Sequence, residues 1–172
     1  MPKVIENPRD RLVAEAREQV CRAGYSGMTI HSVAGACGLG IGTVYNYFPS
    51  KDALMAAVML EDWERCMEQI RNAATEANDP QPVLRTIDQQ LRLYALGHQA
   101  LFHDTDAASN YAHAASRYHD KLRTQLASPL RKFCTDDFTA EFIAESLLTW
   151  TIAGRPFEEI CSILEKLFLK TF

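Results

Sequence analysis

The amino-acid sequence predicts an all-α protein. Apolar residues recur at spacings of three and four along most of the chain, which is the period of an amphipathic helix. Prolines and glycines fall between these periodic blocks, and no run of alternating β-branched residues indicates a strand. We therefore expect helices throughout, in an N-terminal head over residues 1–52 and a larger body over residues 53–172.

The head is predicted to hold three short helices and the start of a long one that joins it to the body. Gly24 stops the first helix, and Thr29 caps the second. Residues 38–40, with the sequence Gly-Leu-Gly, supply a tight turn, and Ser50 caps the long helix. The predicted helices cover residues 8–23, 30–37, 41–48 and 51–77.

The body is predicted to be helical as well. Two prolines within residues 79–82 predict a linker, because proline does not fit a helix interior. Residues 104–106 can cap a helix that residues 128–129 interrupt. A glycine and a proline within residues 154–156 predict an antiparallel hairpin of the last two helices. The clearest body helices are expected over residues 83–96, 137–153 and 156–170.

Composition and charge fit a soluble globular protein with an acidic body. The chain carries 47% hydrophobic and 23% charged residues, and its net charge is −4. Residues 1–52 hold six Lys/Arg against five Asp/Glu and the rest holds 12 against 17, so the head is at +1 and the body at −5. No apolar stretch approaches the roughly 20 residues of a membrane span, and no signal-peptide pattern stands at the start. We expect a cytoplasmic protein with no membrane contact.

The five cysteines do not form a disulfide framework or a zinc-site pattern. They are odd in number, widely spaced and free of any C-x-x-C pair. We expect them to behave as small buried hydrophobic residues. A redox sensor built on Cys21 or Cys37, both in the head, is the alternative. The cysteines are Cys21, Cys37, Cys66, Cys134 and Cys161.

Two short helices joined by a glycine turn predict a helix-turn-helix, whose second helix can enter the major groove of DNA. Val44 and Phe48 lie one turn apart and must pack inward. Hydroxyl groups on the other side can bond phosphates, and Asn46 can pair with an adenine edge. Lys51 adds a phosphate contact through its charge and the N-terminus of the long helix. The side of the second helix expected to face DNA comprises Gly42, Thr43, Asn46 and Tyr47, with Tyr45 at its edge.

This segment resembles the N-terminal signature of the tetracycline-repressor (TetR) family. The resemblance covers roughly residues 9–58 and is carried by residues 29–34, Gly38-Leu39 and residues 42–54, with Gly-Thr-Val-Tyr followed by Tyr-Phe and Ser-Lys. It implies an all-helical homodimer with a ligand pocket in the body, which releases its operator when a small molecule binds. The resemblance therefore predicts a DNA-binding transcriptional regulator, a repressor on a palindromic double-stranded operator, rather than an enzyme, and no cofactor is expected.

The resemblance also assigns residues, and two positions depart from it. Where the family commonly has a Ser and then a Lys at the start of the recognition helix, which is the second helix of the helix-turn-helix, this chain has Gly40 and Ile41. Because the recognition helix then has no cation, we expect Lys3, Arg9 or Arg11 to hold phosphates beside Lys51. Together with Gly42, the predicted DNA-binding residues are Thr29, Thr43, Tyr45, Asn46, Tyr47 and Lys51.

The body is expected to supply an effector pocket and a dimer interface. Aromatic residues on several helices can line an apolar cavity, although core packing explains each one singly. The predicted pocket residues are Trp63, Met67, Tyr94, Phe102, Tyr111, Tyr118 and Trp150. The apolar terminal hairpin is expected to meet its twin in a four-helix bundle. The predicted dimer-interface residues are Phe142, Leu147, Trp150, Ile160, Leu164, Leu167 and Phe168.

Two alternatives stay open on the sequence alone. Spacings of five and six between body histidines do not place two ligands on one helix face, so we predict no metal site, with metal-assisted effector binding as the alternative. These histidines are His98, His103, His113 and His119. The alternative function is a helical ligand- or metal-binding protein with weakened operator reading, which Gly40 and Ile41 would explain. An enzyme would need a nucleophile or paired carboxylates, and we find neither.

Overall fold

A computed structural model describes residues 6–99 and 119–168 of the chain, and within these ranges every regular element is a helix. The predicted all-α class is thereby confirmed. Predictions that involve Lys3, residues 104–106, Phe102, Tyr111, Tyr118, His103 and His113 lie outside the described residues. The elements are α1 (Pro8–Gly27), α2 (Ile30–Cys37), α3 (Ile41–Tyr47), α4 (Lys51–Glu76), α5 (Pro80–Gly97), α6 (helical residues 119–127), the 3-10 helix η1 (Ser128–Phe133), α7 (Asp137–Ile152) and α8 (Phe157–Phe168).

The chain divides into two compact units. The described part of the first is residues 6–62 and 97–99, and that of the second is residues 63–96 and 119–168. Helix α4 contributes its residues up to Asp62 to the first unit and those from Trp63 to the second. The described residues of the predicted head all fall in the first unit.

The first unit is built on α1, which packs against α2, and α2 packs against α3. Gly24 breaks α1 as predicted, because its backbone is left-handed and non-helical (φ 74°, ψ 174°). One further turn then follows and ends at Gly27, which the sequence did not predict. The core of this unit is apolar and includes Leu12, Val13, Val33, Val44, Leu54 and Met55, each fully buried.

The start of α5 corrects the predicted linker. The prediction of a linker over residues 79–82 was wrong, because α5 begins at Pro80. Proline has no N–H to donate, and the first turn of a helix has no partner for one, so both prolines fit there. The carboxylate of Asp79 caps the turn by accepting a bond from the Gln81 N–H at 3.1 Å.

The C-terminal hairpin forms as predicted. Asp136 caps α7 by accepting a bond from the Thr139 N–H at 2.7 Å, and this bond lowers the pKa of the Asp136 carboxyl. Gly154 adopts φ 81° after α7, which only glycine takes readily, and α8 begins at Phe157. The predicted interruption at residues 128–129 is also present, as the first residues of η1.

Helices α4 to α8 and η1 surround the core of the second unit. This core corrects three predicted dimer-interface residues. Leu147 is fully buried, and Ile160 and Leu164 are nearly so, all in the core of their own subunit. They occupy the side of α7 and α8 that faces the other helices, so they are not available to a partner. The other helices contribute core residues such as Ile70 of α4, Ile87 of α5 and Leu126 of α6.

A buried carboxylate connects α5 to the terminal hairpin. Asp88 is 4% exposed and accepts a bond from Thr151 Oγ1 at 2.8 Å. Arg92, one turn later, binds the same carboxylate with Nε at 2.8 Å and Nη2 at 2.9 Å, and also donates to the Arg155 carbonyl. The hydrogen bond to Asp88 raises the pKa of Arg92 further above its ordinary value. Helices α5 and α7 therefore meet at a single carboxylate.

No helix among the described residues is both long enough and apolar enough to span a membrane.

Candidate nucleic-acid interface

The N-terminus of α2 is fixed by a capping box. The Ser32 N–H donates to Thr29 Oγ1 at 3.0 Å, and the Thr29 N–H donates to Ser32 Oγ at 3.1 Å. The cap at Thr29 is therefore confirmed. Sequence reasoning missed Gln19, a buried residue of α1 that accepts from Ser32 Oγ at 2.5 Å and donates to Glu15 at 2.8 Å. This contact joins α1 to the start of α2, and only the three-dimensional packing reveals it.

The turn between α2 and α3 depends on glycine at one position. Gly38 adopts φ 67° and ψ 30°, the left-handed conformation that ends α2. The Leu39 N–H then returns to the Ala34 carbonyl at 2.9 Å. Gly40 is the N-cap of α3 in an extended conformation, and its lack of a side chain leaves α3 without a side-chain cap. The backbone thus sets the angle between the two helices.

Helix α3 has one buried and one exposed side. Val44 is fully buried and Phe48 is 4% exposed, which confirms their predicted inward packing. On the other side Tyr45 is 49% exposed and Tyr47 is 44% exposed, Gly42 and Asn46 are also exposed, and Thr43 is half-buried. DNA contact by these residues stays a prediction.

Lys51 lies at the start of α4, next to the end of α1. Ser50 Oγ accepts from the Ala53 N–H at 3.0 Å, so the predicted cap of α4 is confirmed. The Lys51 ammonium lies 3.9 Å from the centre of the Tyr25 ring. The Tyr25 hydroxyl donates to the Asp52 carboxylate. Sequence reasoning did not single out Tyr25, because nothing in its spacing signals a partner 26 residues away.

The two described arginines expected to hold phosphates are engaged inside the first unit. Arg9 donates to Glu61 at 3.2 Å, and its guanidinium lies 5.6 Å from the centre of the Phe48 ring. Arg11 donates to the Cys37 carbonyl at 3.2 Å, at the C-terminal end of α2. These contacts hold α1 to its neighbours, and phosphate binding by Arg9, Arg11 and Lys51 stays a prediction.

The helix-turn-helix segment is similar to known bacterial regulators. Residues 12–58 match the family model described as bacterial regulatory proteins of the tetR family. The HTH-type transcriptional regulator UidR of Escherichia coli K12 is 33% identical over 63 residues, which are 37% of this chain and 32% of UidR. The match therefore spans about a third of the length of this curated relative.

Solved structures share the architecture over nearly the whole chain. Salmonella enterica GusR superposes with a TM-score of 0.67 at 19% identity, covering 97% of this chain and 99% of GusR. The TetR family repressor AlkX of Dietzia sp. superposes with a TM-score of 0.68 at 19% identity, covering 95% and 98%. The helix-turn-helix segment of this chain is therefore similar to the TetR family's N-terminal domain. The resemblance seen in the sequence is confirmed, and at these identities the superpositions show a shared TetR-type fold.

The predicted effector pocket is only partly assembled by the residues that the structure describes. The Trp63 and Tyr94 rings meet edge to face at 5.5 Å, and Trp63 Nε1 donates to Gln125 at 2.6 Å. Met67 lies in the same core cluster. Trp150 does not join them, because it is 49% exposed and stacks with Arg155 at 5.9 Å. Pocket membership stays a prediction for Trp63, Met67 and Tyr94.

A different pocket opens on the surface of the second unit. Two phenylalanines of α7, whose rings lie 6.4 Å apart, line it together with charged side chains. It holds about 240 Å³, and the sequence did not predict it. The lining residues are Arg123, Phe138, Glu141, Phe142 and Glu145.

The terminal hairpin exposes apolar side chains on the side away from its core. Of the predicted interface, Phe142, Trp150 and Leu167 are exposed, and Phe168 packs partly against the core. Neighbouring exposed residues extend the surface, although the sequence analysis did not select them. The hairpin surface, as we call it below, comprises Phe138, Phe142, Trp150, Ile152, Ile163 and Leu167.

The two described histidines of the body have carboxylate neighbours and no metal-site geometry. His98 Nε2 lies 3.3 Å from Asp62, and His119 Nε2 lies 2.9 Å from Glu145. Burial opposes ionisation of the Glu145 carboxyl, but hydrogen bonds from His119 and Thr149, together with the charges of His119 and Arg123, lower its pKa. Among the residues that the structure describes, no three His, Cys, Asp or Glu side chains could hold a metal ion together.

The cysteines differ in exposure, and this difference predicts their reactivity. Cys37, Cys66 and Cys161 are buried as expected, but the expectation was wrong for Cys21, which is exposed, and Cys134 is half-buried. Burial raises the pKa of the Cys37 thiol, and raises that of Cys161 to about 11 with a contribution from Glu165. Since the thiolate is the reactive form, we expect iodoacetamide at pH 8 to alkylate Cys21 at least about tenfold faster than Cys37 or Cys161. Peptide mass mapping against time measures this difference.

The same map tests the redox alternative. Alkylation of Cys37 as fast as that of Cys21 would contradict its burial and support a sensor role.

The raised pKa of Cys161 predicts how the stability of the folded protein changes with pH. The folded state holds the thiol proton more tightly than the unfolded chain does, so stability should fall as pH rises from about 9 to about 11.

Proposed function

We propose that this protein is a DNA-binding transcriptional regulator whose α3 reads the major groove. The observation that carries the proposal is that α3 has one buried and one exposed side. Val44 and the C-cap residue Phe48 are buried, whereas Tyr45, Asn46 and Tyr47 are exposed on the opposite side. A helix held in this way by a glycine turn can present polar side chains to base edges. The match of residues 12–58 to the TetR model supports the same reading.

The exposed residues take different roles in this proposal. Asn46 can make two hydrogen bonds to an adenine edge, and this contact would discriminate between bases. The hydroxyls of Thr43, Tyr45 and Tyr47 suit phosphate oxygens, which set the register without reading sequence. Lys51 supplies the charge, at the N-terminus of α4 where an anion is also favoured.

The proposal includes a homodimer. A recognition helix of seven residues contacts few bases, so one head provides little specificity. A two-fold dimer reads two half-sites of a palindrome, one helical turn or a multiple of it apart. The hairpin surface is apolar and exposed in the single chain, which suits it to a self-complementary interface.

We also propose that a small molecule regulates DNA binding by this protein. We infer a repressor that leaves its operator when an effector binds the body. Helix α4 would carry the change, because Lys51 begins it in the first unit and Trp63 and Met67 lie further along it in the second. Within the first unit Arg17 of α1 donates to Asp62 at 2.8 Å and to Glu61 at 3.2 Å, so a shift of α4 would also move α1. Coupling of this kind is typically about 1–3 kcal/mol.

The test of DNA reading is a double substitution, Tyr47→Ala with Lys51→Ala. Against a duplex selected from random sequence, we expect operator affinity to fall about a hundredfold near 0.1 M salt. The slope of log affinity against log salt should also fall by about two, one for each protomer of the dimer. Fluorescence anisotropy across a salt series measures both. Lys121→Ala, which removes an exposed cation from α6, is the matched control and should change neither. Unchanged affinity in the double variant would reject this interface.

The two departures from the family pattern allow a gain-of-function prediction. Gly40 has an extended backbone, and a Cβ there would lie 3.8 Å from Thr43 Oγ1, so serine fits without strain. We expect Gly40→Ser with Ile41→Lys to cap α3 and to add one phosphate contact per protomer, raising the salt slope by about two. Ile41→Met is the uncharged control. A slope that stays the same would show that the start of α3 does not approach a phosphate.

A second candidate function is favoured by the absence of Lys and Arg from α3. A protein with such a helix can have lost operator reading while keeping a helical ligand-binding body. Selection from random duplexes separates the two functions: an enriched palindrome supports the regulator, and no enrichment at low salt supports the binding protein.

A further inference from the structure

We propose that Tyr25 is a positioning residue that holds the Lys51 ammonium for its phosphate contact. This inference rests on the proposed DNA-binding function. Tyr25 is 8% exposed, and the Lys51 ammonium lies 3.9 Å from the centre of its ring. Its hydroxyl donates to Asp52, the next residue of the same helix turn. One buried tyrosine thus contacts two consecutive residues at the start of α4.

The break in α1 makes this contact possible. Gly24 leaves the helical conformation with φ 74°, and Tyr25 belongs to the extra turn that follows. A residue with a Cβ is strained at that φ, so the position of Tyr25 relative to α1 depends on Gly24. The Met28 N–H bonds back to the Tyr25 carbonyl at 3.2 Å, and Met28 is fully buried, which fixes the turn. The ring therefore sits on a rigid part of the head.

The physical reason for such an arrangement is the flexibility of lysine. A lysine side chain loses rotamer freedom when a contact immobilises it. A cation held over an aromatic face is already ordered, so less freedom is lost on binding DNA. This order matters more here than where the recognition helix carries its own cations, because α3 has none and both Arg9 and Arg11 are engaged with protein groups.

The test changes the charge distribution of the ring and keeps its shape. Tyr25 is replaced by phenylalanine and then by mono-, di- and trifluorophenylalanine, which progressively weaken the negative face of the ring. Across the phenylalanine series we expect operator affinity to fall stepwise, about two- to fivefold in total. The same series in a Lys51→Met background should show no trend, because the cation is absent. A thermal melt of each variant verifies that the fold is retained.

A matched control comes from the second unit, where the Arg85 guanidinium lies 4.5 Å from the centre of the Phe157 ring. Fluorination of Phe157 should leave operator affinity unchanged. A flat Tyr25 series, or an equal trend with and without Lys51, would overturn the positioning role and leave the proposed function standing. If the wild-type protein enriches no duplex at all, the proposed function fails, and this inference fails with it.

Discussion

Asp88→Ala is expected to destabilise the second unit by about 2–4 kcal/mol. The substitution removes the acceptor shared by Thr151 and Arg92 and leaves both donors beside a small apolar side chain. The Thr151 hydroxyl is buried and cannot recover a bond from water, whereas Arg92 is 38% exposed and can recover part of its hydration. For a chain of this length the melting temperature should fall by about 5–15 °C, measured by calorimetry at fixed protein concentration.

Two further variants test whether the loss of stability comes from the buried hydrogen-bond network or simply from removing a carboxylate charge. Asp88→Asn keeps the shape and an acceptor for Thr151, so we expect a smaller loss of about 1–2 kcal/mol. Asp120→Ala breaks an ion pair of the same kind, since Asp120 lies 3.1 Å from Arg123 three residues later, but Asp120 is 72% exposed. Its loss should be below about 0.5 kcal/mol. Equal losses in Asp88→Ala and Asp120→Ala would show that burial of the network contributes nothing.

Phe142→Glu with Leu167→Glu is expected to convert the proposed dimer to a monomer. Both side chains are exposed in the single chain, on the two helices of the hairpin surface. If a partner covers them, each substitution buries an unpaired carboxylate and removes an apolar contact, for about 2 kcal/mol or more apiece. The dimer dissociation constant should therefore rise about a thousandfold or more, and operator affinity should fall with it. Sedimentation equilibrium measures the first effect and anisotropy the second.

The control for this pair is Leu93→Glu. Leu93 is 61% exposed on α5 and lies outside the hairpin surface, so it matches the chemistry of the change without the proposed location. We expect the Leu93 variant to dimerise and bind DNA as the wild type does. A Phe142/Leu167 variant that remains dimeric would place the interface elsewhere, and a Leu93 variant that becomes monomeric would point to α5.

In the head, the features that could be predicted from the sequence are those that act over a few residues. Thr29, Ser50 and Gly24 act within a few residues of themselves, through caps and a left-handed backbone, and all three are visible in the sequence. The division of α3 follows from the four-residue spacing of Val44 and Phe48. Gln19 and Tyr25 have no such signal, because the partners that join them to other helices lie 13 or more residues away and depend on how α1 packs.

In the body, the spacing of apolar residues does not determine which of them are buried. Helical spacing identified apolar faces on α7 and α8, but it could not say which residues of each face turn inward. Leu147, Ile160 and Leu164 proved to be core, whereas Ile152 and Ile163 are exposed. The linker predicted at the prolines of α5 was wrong for a related reason, since a proline is excluded from a helix interior but fits the first turn.

The all-α class, the helix-turn-helix and the residues of α3 that face away from the core could be predicted from the sequence, because they depend on spacing and on glycine, proline and capping side chains. The packing of the helices was needed to show which cations contact protein groups, which apolar residues stay exposed, and that Asp88 and Tyr25 join separate helices. Contacts between residues distant in the chain depend on the packing of whole helices, and no local pattern encodes them.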